Sequence, residues 1–438
     1  MAVHIHNPNV FHTHQRRLSH TSSSASPASY LFCRHSHAKY PRFICKSNNQ
    51  DDYLIDAPVS VGDGFSFSGG LYYNHLLHSI FFLINWKNIV FIAGKYSDQP
   101  SPSDEWLKQG KWVKAHRVGG SGVEAKDPIF GLTMGASSQA SKDVFRWFCV
   151  ESGNLDSPPV ILIHGFPSQA YSYRKALPVL SKNYRAIAFD WLGNFSPENV
   201  SLLKTHLLNI FMTGFGFSDK PQAGYGFNYT LDEFVSSLES FIDEVTTSEV
   251  SLVVQGYFST AAVKYARNRP EKIKNLILLN PPLTPEHAKL PSTLSVFSNF
   301  LLGEIFSQDP LRASDKPLTS CGPYKMKEDD AMVYRRPYLT SGSSGFALNA
   351  ISRAMKKELK GYAEEMRTSL MDKNWKIPTT VCWGQRDKWL SYEGVEDFCK
   401  SSGHKLIELP MAGHHVQEDC GEELGGIISR IISKAALP

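Results

Sequence analysis

The chain of 438 residues has few cysteines, and their spacing is typical of neither a metal site nor a disulfide framework. The seven cysteines are scattered without a CxxC or CxxxxH pattern, so a zinc site is not expected and the thiols are expected to be reduced. A Gly-rich phosphate loop and a dinucleotide fingerprint are also missing from the sequence. We therefore expect no cofactor, and any chemistry has to come from the side chains of the chain itself.

Acidic residues are absent from positions 1–50, which hold six basic residues and a Ser-rich run at 21–26. This composition predicts an organelle transit peptide of plastid type, removed between Arg42 and Asp51, and hence a protein of the plastid stroma. A disordered cytosolic tail is the alternative. The remaining 388 residues carry 40 basic and 42 acidic side chains, a formal charge of −2, which gives no case for nucleic-acid binding.

A long uninterrupted hydrophobic run is missing as well. The most apolar window, residues 71–94, is interrupted by polar side chains that include His75, His78, Asn85, Lys87 and Asn88. A lysine near the centre of a span costs about 3 kcal/mol on insertion scales, which disfavours a membrane helix. The polar sequences on either side would join smoothly without this window. It therefore has the character of inserted sequence, such as translated intron.

Residues 194–213 form a second apolar block with the same character. The block separates a strand and loop at 184–193 from a Gly-rich loop at 214–221 that reads as the continuation of the first loop. A gene-model artefact and a genuine helical insertion are the two interpretations. In both cases the block lies where loops on the substrate side are expected.

Apolar strand patterns alternate with helical patterns through residues 140–283 and again through residues 371–438. The predicted strands are 145–150, 160–163, 184–189, 251–254, 276–279, 379–383 and 405–409. Such alternation is typical of a mostly parallel, doubly wound sheet covered on both faces, so the predicted fold class is α/β. Residues 284–370 lack strand patterns and are predicted to form an inserted helical cap. Residues 51–139 are interpreted as an N-terminal extension or linker.

The strand at 251–254 leads into a sharp turn at Gly256, and a helical pattern follows at 260–266. A strand, a tight turn and a helix form a nucleophile elbow, which holds a reactive side chain above a parallel sheet. Because glycine has no side chain, the nucleophile is missing from the apex of this turn. A shifted register with Ser259 at the apex is disfavoured, since it would bury the turn inside the helix.

Further motifs follow one another in a fixed order. Residues 164–167 read His-Gly-Phe-Pro directly after a buried strand, where the Phe166 amide can serve as an oxyanion donor. Beyond the elbow come Gly-Gln-Arg-Asp at 384–387 and Ala-Gly-His-His-Val-Gln-Glu-Asp at 412–419. Together with the Gly-rich loop, this order resembles the α/β-hydrolase superfamily, specifically its haloalkane dehalogenase and epoxide hydrolase branch. The resemblance extends over residues 140–435, including the cap.

The resemblance implies roles for individual residues. In this branch the order is nucleophile, acid and histidine, so Gly256 takes the nucleophile position, Asp387 the acid position and His414 the position of the general base. Tyr257 then supplies the second oxyanion amide. An attacking carboxylate is needed for the covalent ester chemistry of this branch, and position 256 does not provide one.

Two tyrosines of the predicted cap, Tyr334 and Tyr338, are substrate-binding candidates because epoxide hydrolases use cap tyrosines as acids. Simple lining of a pocket is the alternative for both. His415, next to the base, replaces the usual apolar neighbour and is interpreted as a packing residue. These assignments rest on the resemblance alone.

The retained pair of His414 and Asp387 favours a hydrolase that acts on a small apolar substrate of the ester, epoxide or halide class. It would use a His-Asp dyad and an oxyanion hole without a covalent nucleophile. The missing nucleophile favours the alternative of a non-catalytic protein, either one that binds a small molecule or a regulatory protein. A base-catalysed lyase or cofactor-free oxygenase is a further possibility. In each case the expected partner is a small molecule, and neither nucleic acid nor membrane is expected.

Overall fold

The computed structural model describes residues 100–117, 144–192, 216–219, 227–340 and 343–435. Contacts divide the chain into Met1–Ile92 and Ala93–Pro438, and every described residue belongs to the second unit. The predicted transit peptide and the blocks at 71–94 and 194–213 lie outside the described residues. Among the described helices, none is long and apolar enough to cross a bilayer.

The described residues build one eight-stranded sheet. Its strands are β1 Gly110–Arg117, β2 Val144–Ser152, β3 Pro159–Ile163, β4 Arg185–Phe189, β5 Val250–Gln255, β6 Ile273–Leu279, β7 Thr379–Gly384 and β8 Lys405–Leu409. They lie side by side in the order β1-β2-β4-β3-β5-β6-β7-β8. The first two strands pair antiparallel, and the six strands from β3 to β8 run parallel. The predicted α/β fold with a mostly parallel sheet is confirmed.

The central strands are buried on both faces. All five residues of β3 are buried, and Ile161 and Ile163 enter one apolar cluster while Val160 and Leu162 enter the other. This division follows from the pleat, which turns successive side chains to opposite faces of a sheet. Burial on both faces is also why the strand reads as a continuous apolar run in the sequence.

Helices cover both faces of the sheet. They are α1 Pro102–Gln109, α2 Leu177–Leu180, α3 Leu231–Val245, α4 Ser259–Asn268, α5 Ser292–Ser295, α6 Phe300–Ser307, α7 Lys316–Ser320, α8 Glu328–Thr340, α9 Ser343–Met371, α10 Val395–Ser402, α11 Val416–Asp419 and α12 Gly421–Ala435. Five of these, α5 to α9, lie between β6 and β7, and we call this stretch the helical segment. The chain leaves the carboxyl end of β6, forms this segment and returns to the amino end of β7.

Residues 102–117 differ from the prediction. The sequence predicts an extension or linker for these residues, whereas they form α1 and β1. Helix α1 begins with a capping box between Ser101 and Asp104, which satisfies backbone amides at its first turn. Strand β1 is the exposed edge of the sheet and leaves Trp112 46% exposed, so it has no buried apolar run for the sequence to display.

Candidate functional site

The turn at Gly256 has the backbone geometry of an elbow. Strand β5 ends at Gln255, a 3₁₀ turn spans Gly256–Phe258, and α4 begins at Ser259. Gly256 has a φ of 63°, in the left-handed region where other residues are strained. Ser259 is already the first residue of α4, so the structure excludes the shifted register. The turn therefore keeps its apex position, but with no side chain on it.

His414 lies directly above this turn. A Cβ atom added to Gly256 would lie 2.9 Å from Nε2 of His414, closer than ordinary van der Waals contact. The imidazole thus occupies the space into which a nucleophile side chain would extend. This close approach explains why glycine suits position 256 sterically as well as conformationally.

His414 and Asp387 form a buried pair. Nδ1 of His414 lies 2.8 Å from Oδ2 of Asp387, and their side chains are 0% and 1% exposed. The two residues come from loops after the adjacent parallel strands β8 and β7. Since the carboxyl ends of parallel strands lie at one edge of the sheet, the fold itself brings them together.

Asp387 is fixed by three further hydrogen bonds. The amides of Trp389 and Leu390 donate to Oδ1 at 2.7 and 3.0 Å, and Nδ2 of Asn280 donates to Oδ2 at 2.7 Å. Asn280 follows β6 and also accepts the Gly384 amide at 2.8 Å. These donors stabilise an ionised carboxylate and hold it in one orientation.

The hydrogen-bond pattern assigns the tautomer of His414. An ionised Asp387 is an acceptor only, so Nδ1 of His414 carries the proton and Nε2 carries the lone pair. Nε2 is buried and has no hydrogen-bond partner among the described residues. A histidine held in this way by a carboxylate can accept a proton at Nε2, which is the action of a general base.

The His-Gly-Phe-Pro loop after β3 is tied to the loop that carries His414. Gln255 donates through Nε2 to the His414 carbonyl at 2.9 Å. Its Oε1 lies 1.5 Å from the place of a Cβ on Gly165, so a side chain at position 165 would displace the Gln255 amide. Gln255 therefore sets the spacing between the two loops at the carboxyl edge of the sheet.

His164 has a structural role within this loop. Its Nδ1 donates to the Gly165 carbonyl at 2.8 Å, and its Nε2 accepts the Trp191 amide at 3.2 Å. Burial lowers the pKa of His164 to about 4, so the ring is neutral near pH 7. Both ring nitrogens are thereby used to orient the loop that contains Phe166.

The predicted oxyanion residues Phe166 and Tyr257 are both fully buried. The ring of Tyr257 lies 5.6 Å from the ring of His414, and its hydroxyl donates to the Lys289 carbonyl at 3.2 Å. The structure therefore brings Tyr257 next to the base and directs its hydroxyl into the chain that follows β6. Donation by the Phe166 and Tyr257 amides stays a prediction.

Tyr334 requires a correction. Its hydroxyl donates to Oε1 of Glu418, which also pairs with Nη1 of Arg174 at 2.8 Å. Because this hydroxyl belongs to a buried ion-pair network, it is not available as a substrate acid or ligand, contrary to the prediction. Tyr338 is half-buried against the same apolar cluster that holds Tyr257, and burial raises its pKa.

Three site residues were not predicted as such. Trp389 packs its ring 4.7 Å from the ring of His414, and Asn280 and Gln255 hold the loops. The available signal was position, since Asn280 and Gln255 each come at the end of a predicted strand and Trp389 lies two residues after Asp387. His415, interpreted as packing, is fully buried and lies 5.2 Å ring to ring from His414.

Two cavities in the described residues are lined by neither His414 nor Asp387. A cavity of about 20 Å³ is lined by Tyr257, Phe258 and side chains of α3 and α9, and it has room for about one water molecule. A cavity of about 440 Å³ lies at the opposite, amino-terminal edge of the sheet, beside Asn275 and His404. This second cavity is remote from every predicted catalytic residue and is therefore not the candidate active site. No cluster of three or more potential metal ligands occurs among the described residues.

Comparison with known families supports the fold. Residues 212–419 match the family described as alpha/beta hydrolase fold. Solved structures of similar fold include haloalkane dehalogenase DbeA from Bradyrhizobium elkani, with a TM-score of 0.55 and 20% identity, covering 67% of this chain and 95% of that one. Haloalkane dehalogenase DatA from Agrobacterium tumefaciens has a TM-score of 0.53 and 17% identity, covering 74% and 97%. The chain has the α/β-hydrolase fold.

Similar curated proteins lie in the expected branch. A cis-3-alkyl-4-alkyloxetan-2-one decarboxylase from Shewanella oneidensis is 26% identical, covering 61% of this chain and 79% of that protein. Haloalkane dehalogenase 2 from Mycobacterium bovis is 22% identical, covering 65% and 93%. Epoxide hydrolase 1 from Caenorhabditis elegans is 25% identical, covering 66% and 68%. The resemblance to haloalkane dehalogenases and epoxide hydrolases is confirmed at this level.

Proposed function

We propose that the chain is an enzyme that acts on a small apolar organic molecule with His414 as general base and without a covalent nucleophile. The observation that carries the proposal is Nε2 of His414, which is buried, unpartnered among the described residues and directly above Gly256. A lone pair kept free in this way has no structural use, whereas a base requires it. Asp387 then orients the ring and stabilises the imidazolium that forms.

The chemistry follows from this arrangement. His414 removes a proton from water while the water oxygen bonds to the electrophilic carbon of the substrate. In an alkyl halide the carbon–halogen bond breaks and halide leaves, and in an epoxide the ring C–O bond breaks. In an ester the carbonyl becomes an oxyanion, which re-forms the C=O bond as the alkoxide leaves and takes the proton from His414. The Phe166 and Tyr257 amides stabilise the negative oxygen that develops on an ester or epoxide substrate. The names of the similar proteins, which include dehalogenases, an epoxide hydrolase and a decarboxylase, support a small reactive substrate of this kind.

Turnover assays on the full-length chain test this proposal. With aryl esters, epoxides and haloalkanes as substrates, His414→Ala and Asp387→Asn are each expected to lower kcat by a factor of about 10²–10⁴. The matched control is His404→Ala, because His404 is a half-buried histidine at the opposite edge of the sheet, where Nε2 donates to the Leu370 carbonyl. Activity that survives His414→Ala would remove the dyad from the mechanism.

A non-catalytic binding protein is the second candidate, and Gly256 itself favours it. An elbow without a nucleophile is what remains when a fold of this kind keeps its pocket and loses its chemistry. Ligand binding without turnover in the natural protein and in Gly256→Asp would support this second candidate. Proton abstraction from carbon by His414, as in a lyase or a cofactor-free oxygenase, would instead appear as activity that depends on His414 but yields no hydrolysis product.

We also propose that the chain is imported into plastids. The support is compositional, namely six basic residues and no acidic residue within positions 1–50. Fusion of residues 1–50 to a fluorescent protein is expected to direct it to the stroma of plant cells. Fluorescence that stays in the cytosol would contradict the proposal.

A further inference from the structure

His415 is a buried histidine whose ring has no hydrogen bond. It is 0% exposed, and neither Nδ1 nor Nε2 has a partner among the described residues. Burial lowers the pKa of His415 well below its ordinary value, and the nearby His414 and His164 rings lower it further. The neutral ring therefore presents one donor and one acceptor, and both are unused.

The surroundings of His415 place it in the candidate site. Its ring lies 5.2 Å from the ring of His414 and 5.5 Å from the ring of Trp389. It follows the base directly in the chain and is the N-cap residue that precedes α11, at the carboxyl edge of the sheet. The side chain is thus a neighbour of the proposed base rather than part of a separate core.

Other unpartnered polar atoms lie in the same loops. Oγ of Ser168 and Oε1 of Gln169 belong to the loop after β3, and Oε1 of Gln255 precedes the elbow. Oε1 of Gln417 lies two residues beyond His415. Buried polar groups normally have partners, and leaving them without one costs stability. A polar group that enters the site would supply partners for unpartnered atoms of these loops.

We propose that His415 recognises an oxygen atom of the substrate, so that the site takes a small apolar molecule that carries a hydroxyl or carbonyl group. The inference rests on the proposed site and names its substrate class. A carbonyl accepts from the ring N–H, while a hydroxyl can also donate to the ring lone pair. A site that hydrogen-bonds a substrate oxygen discriminates strongly against analogues that lack it, because its polar atoms then stay unpaired.

Binding without turnover tests the inference on the full-length chain. Isothermal titration with cyclohexanol, cyclohexanone and methylcyclohexane compares three ligands of similar size, of which two carry oxygen. The natural protein is expected to bind at least one oxygenated ligand about tenfold or more tightly than the hydrocarbon. The oxygenated ligand with the lower Kd identifies the hydroxyl or the carbonyl as the recognised group.

Variants of His415 make the test specific. His415→Phe is expected to bind all three ligands within twofold and to raise the midpoint of thermal unfolding by roughly 2–4 °C, because it removes an unpartnered polar ring. His415→Gln keeps a donor and an acceptor and is expected to retain part of the preference, which keeps the test valid if His415→Phe does not fold. The control His404→Phe removes a partnered ring and is expected to lower stability without changing the preference.

The outcomes separate this inference from the proposed function. Selective binding by a protein that turns nothing over supports the role of His415 and removes the enzyme proposal. Equal binding of the three ligands by the natural protein, or an unchanged preference in His415→Phe, overturns the role of His415. In that case buried water, rather than a ligand, forms the hydrogen bonds with these polar atoms.

Discussion

At the residue scale, position 256 determines what chemistry remains. Its φ of 63° is the conformation that an elbow needs, and glycine adopts it without strain. The missing nucleophile is visible in the sequence. The approach of His414 to within 2.9 Å of the Cβ position is not, because it depends on how two distant loops pack.

Gly256→Ala is expected to reduce both stability and activity. The left-handed backbone costs about 1–2 kcal/mol for alanine, and the new methyl group has to displace His414, which we expect to lower kcat by about tenfold to a hundredfold. Gly361→Ala is the matched control, since no atom lies near its Cβ position in helix α9 and the helix should become slightly more stable. Equal effects of the two substitutions in denaturant unfolding would contradict this account.

His164 predicts a loss of stability in mild acid. Its pKa is about 4 in the folded protein and about 6.5 when unfolded, so between these values the unfolded chain binds more protons and stability falls as the pH falls. The loss between pH 7 and pH 4 is about 3 kcal/mol from this residue. Asp419, whose pKa burial raises to about 6, acts in the opposite direction.

Denaturant unfolding of the natural protein and of His164→Gln, at pH 7 and at pH 4, measures how much His164 contributes to the loss of stability. Because Asp419 and other groups titrate in both proteins, their contributions cancel in the comparison. The variant is expected to lose about 3 kcal/mol less on acidification. An equal loss in the two proteins would show that His164 does not titrate as described.

Residues that follow directly from a strand were the ones that the sequence could predict. Asp387 and His414 each come a few residues after an apolar strand, and parallel strands bring their carboxyl ends together. The role of Tyr334 could not be predicted because it depends on where a hydroxyl points. Only the packing of α8 against α11 shows that this hydroxyl is bound to Glu418.

At the element scale, an ion-pair network joins the helical segment to the sheet domain. Arg174 pairs with Glu418 of α11 and with Asp330 of α8, at 2.8 and 2.9 Å, and Tyr171 also donates to Asp330. Tyr334 adds the bond from α8 to Glu418. Since these side chains are largely buried, removal of one partner leaves a charge that water cannot solvate.

Arg174→Met is therefore expected to destabilise the fold by about 3–5 kcal/mol in denaturant unfolding. Arg312→Met, which breaks a half-exposed pair with Asp309, is expected to cost less than about 1 kcal/mol. Tyr334→Phe should lower the free energy of unfolding by about 1 kcal/mol and leave kcat unchanged, because Glu418 still pairs with Arg174. A large loss of kcat in Tyr334→Phe would show that this tyrosine takes part in substrate binding or catalysis.

Strand β1 was not predicted as a strand, and its position in the sheet explains why. Its sequence carries two lysines and an arginine, and among the described residues β1 lies at the sheet edge, paired with β2. Edge strands carry polar residues because one side lacks a partner strand, so their apolar pattern is weak. The central strands, buried on both faces, show a continuous apolar pattern and were placed within a few residues of their observed bounds.

At the scale of the whole molecule, the alternation of strands and helices was enough to predict the parallel sheet. The blocks at 71–94 and 194–213 lie outside the described residues, and we propose that both are inserted sequence. Sequencing of full-length transcripts is expected to show mature messages that lack the two blocks. Messages in which both blocks are retained would contradict this proposal.

Turnover in ¹⁸O-labelled water distinguishes direct attack by water, with His414 as the base, from a reaction through a covalent intermediate. Mass spectrometry after a single turnover of the responsive ester or epoxide measures the label in product and protein together. Direct attack by water is expected to place ¹⁸O in the product and to leave the protein mass unchanged. Protein that gains ¹⁸O, as a carboxylate nucleophile does when its ester is hydrolysed, would contradict the account.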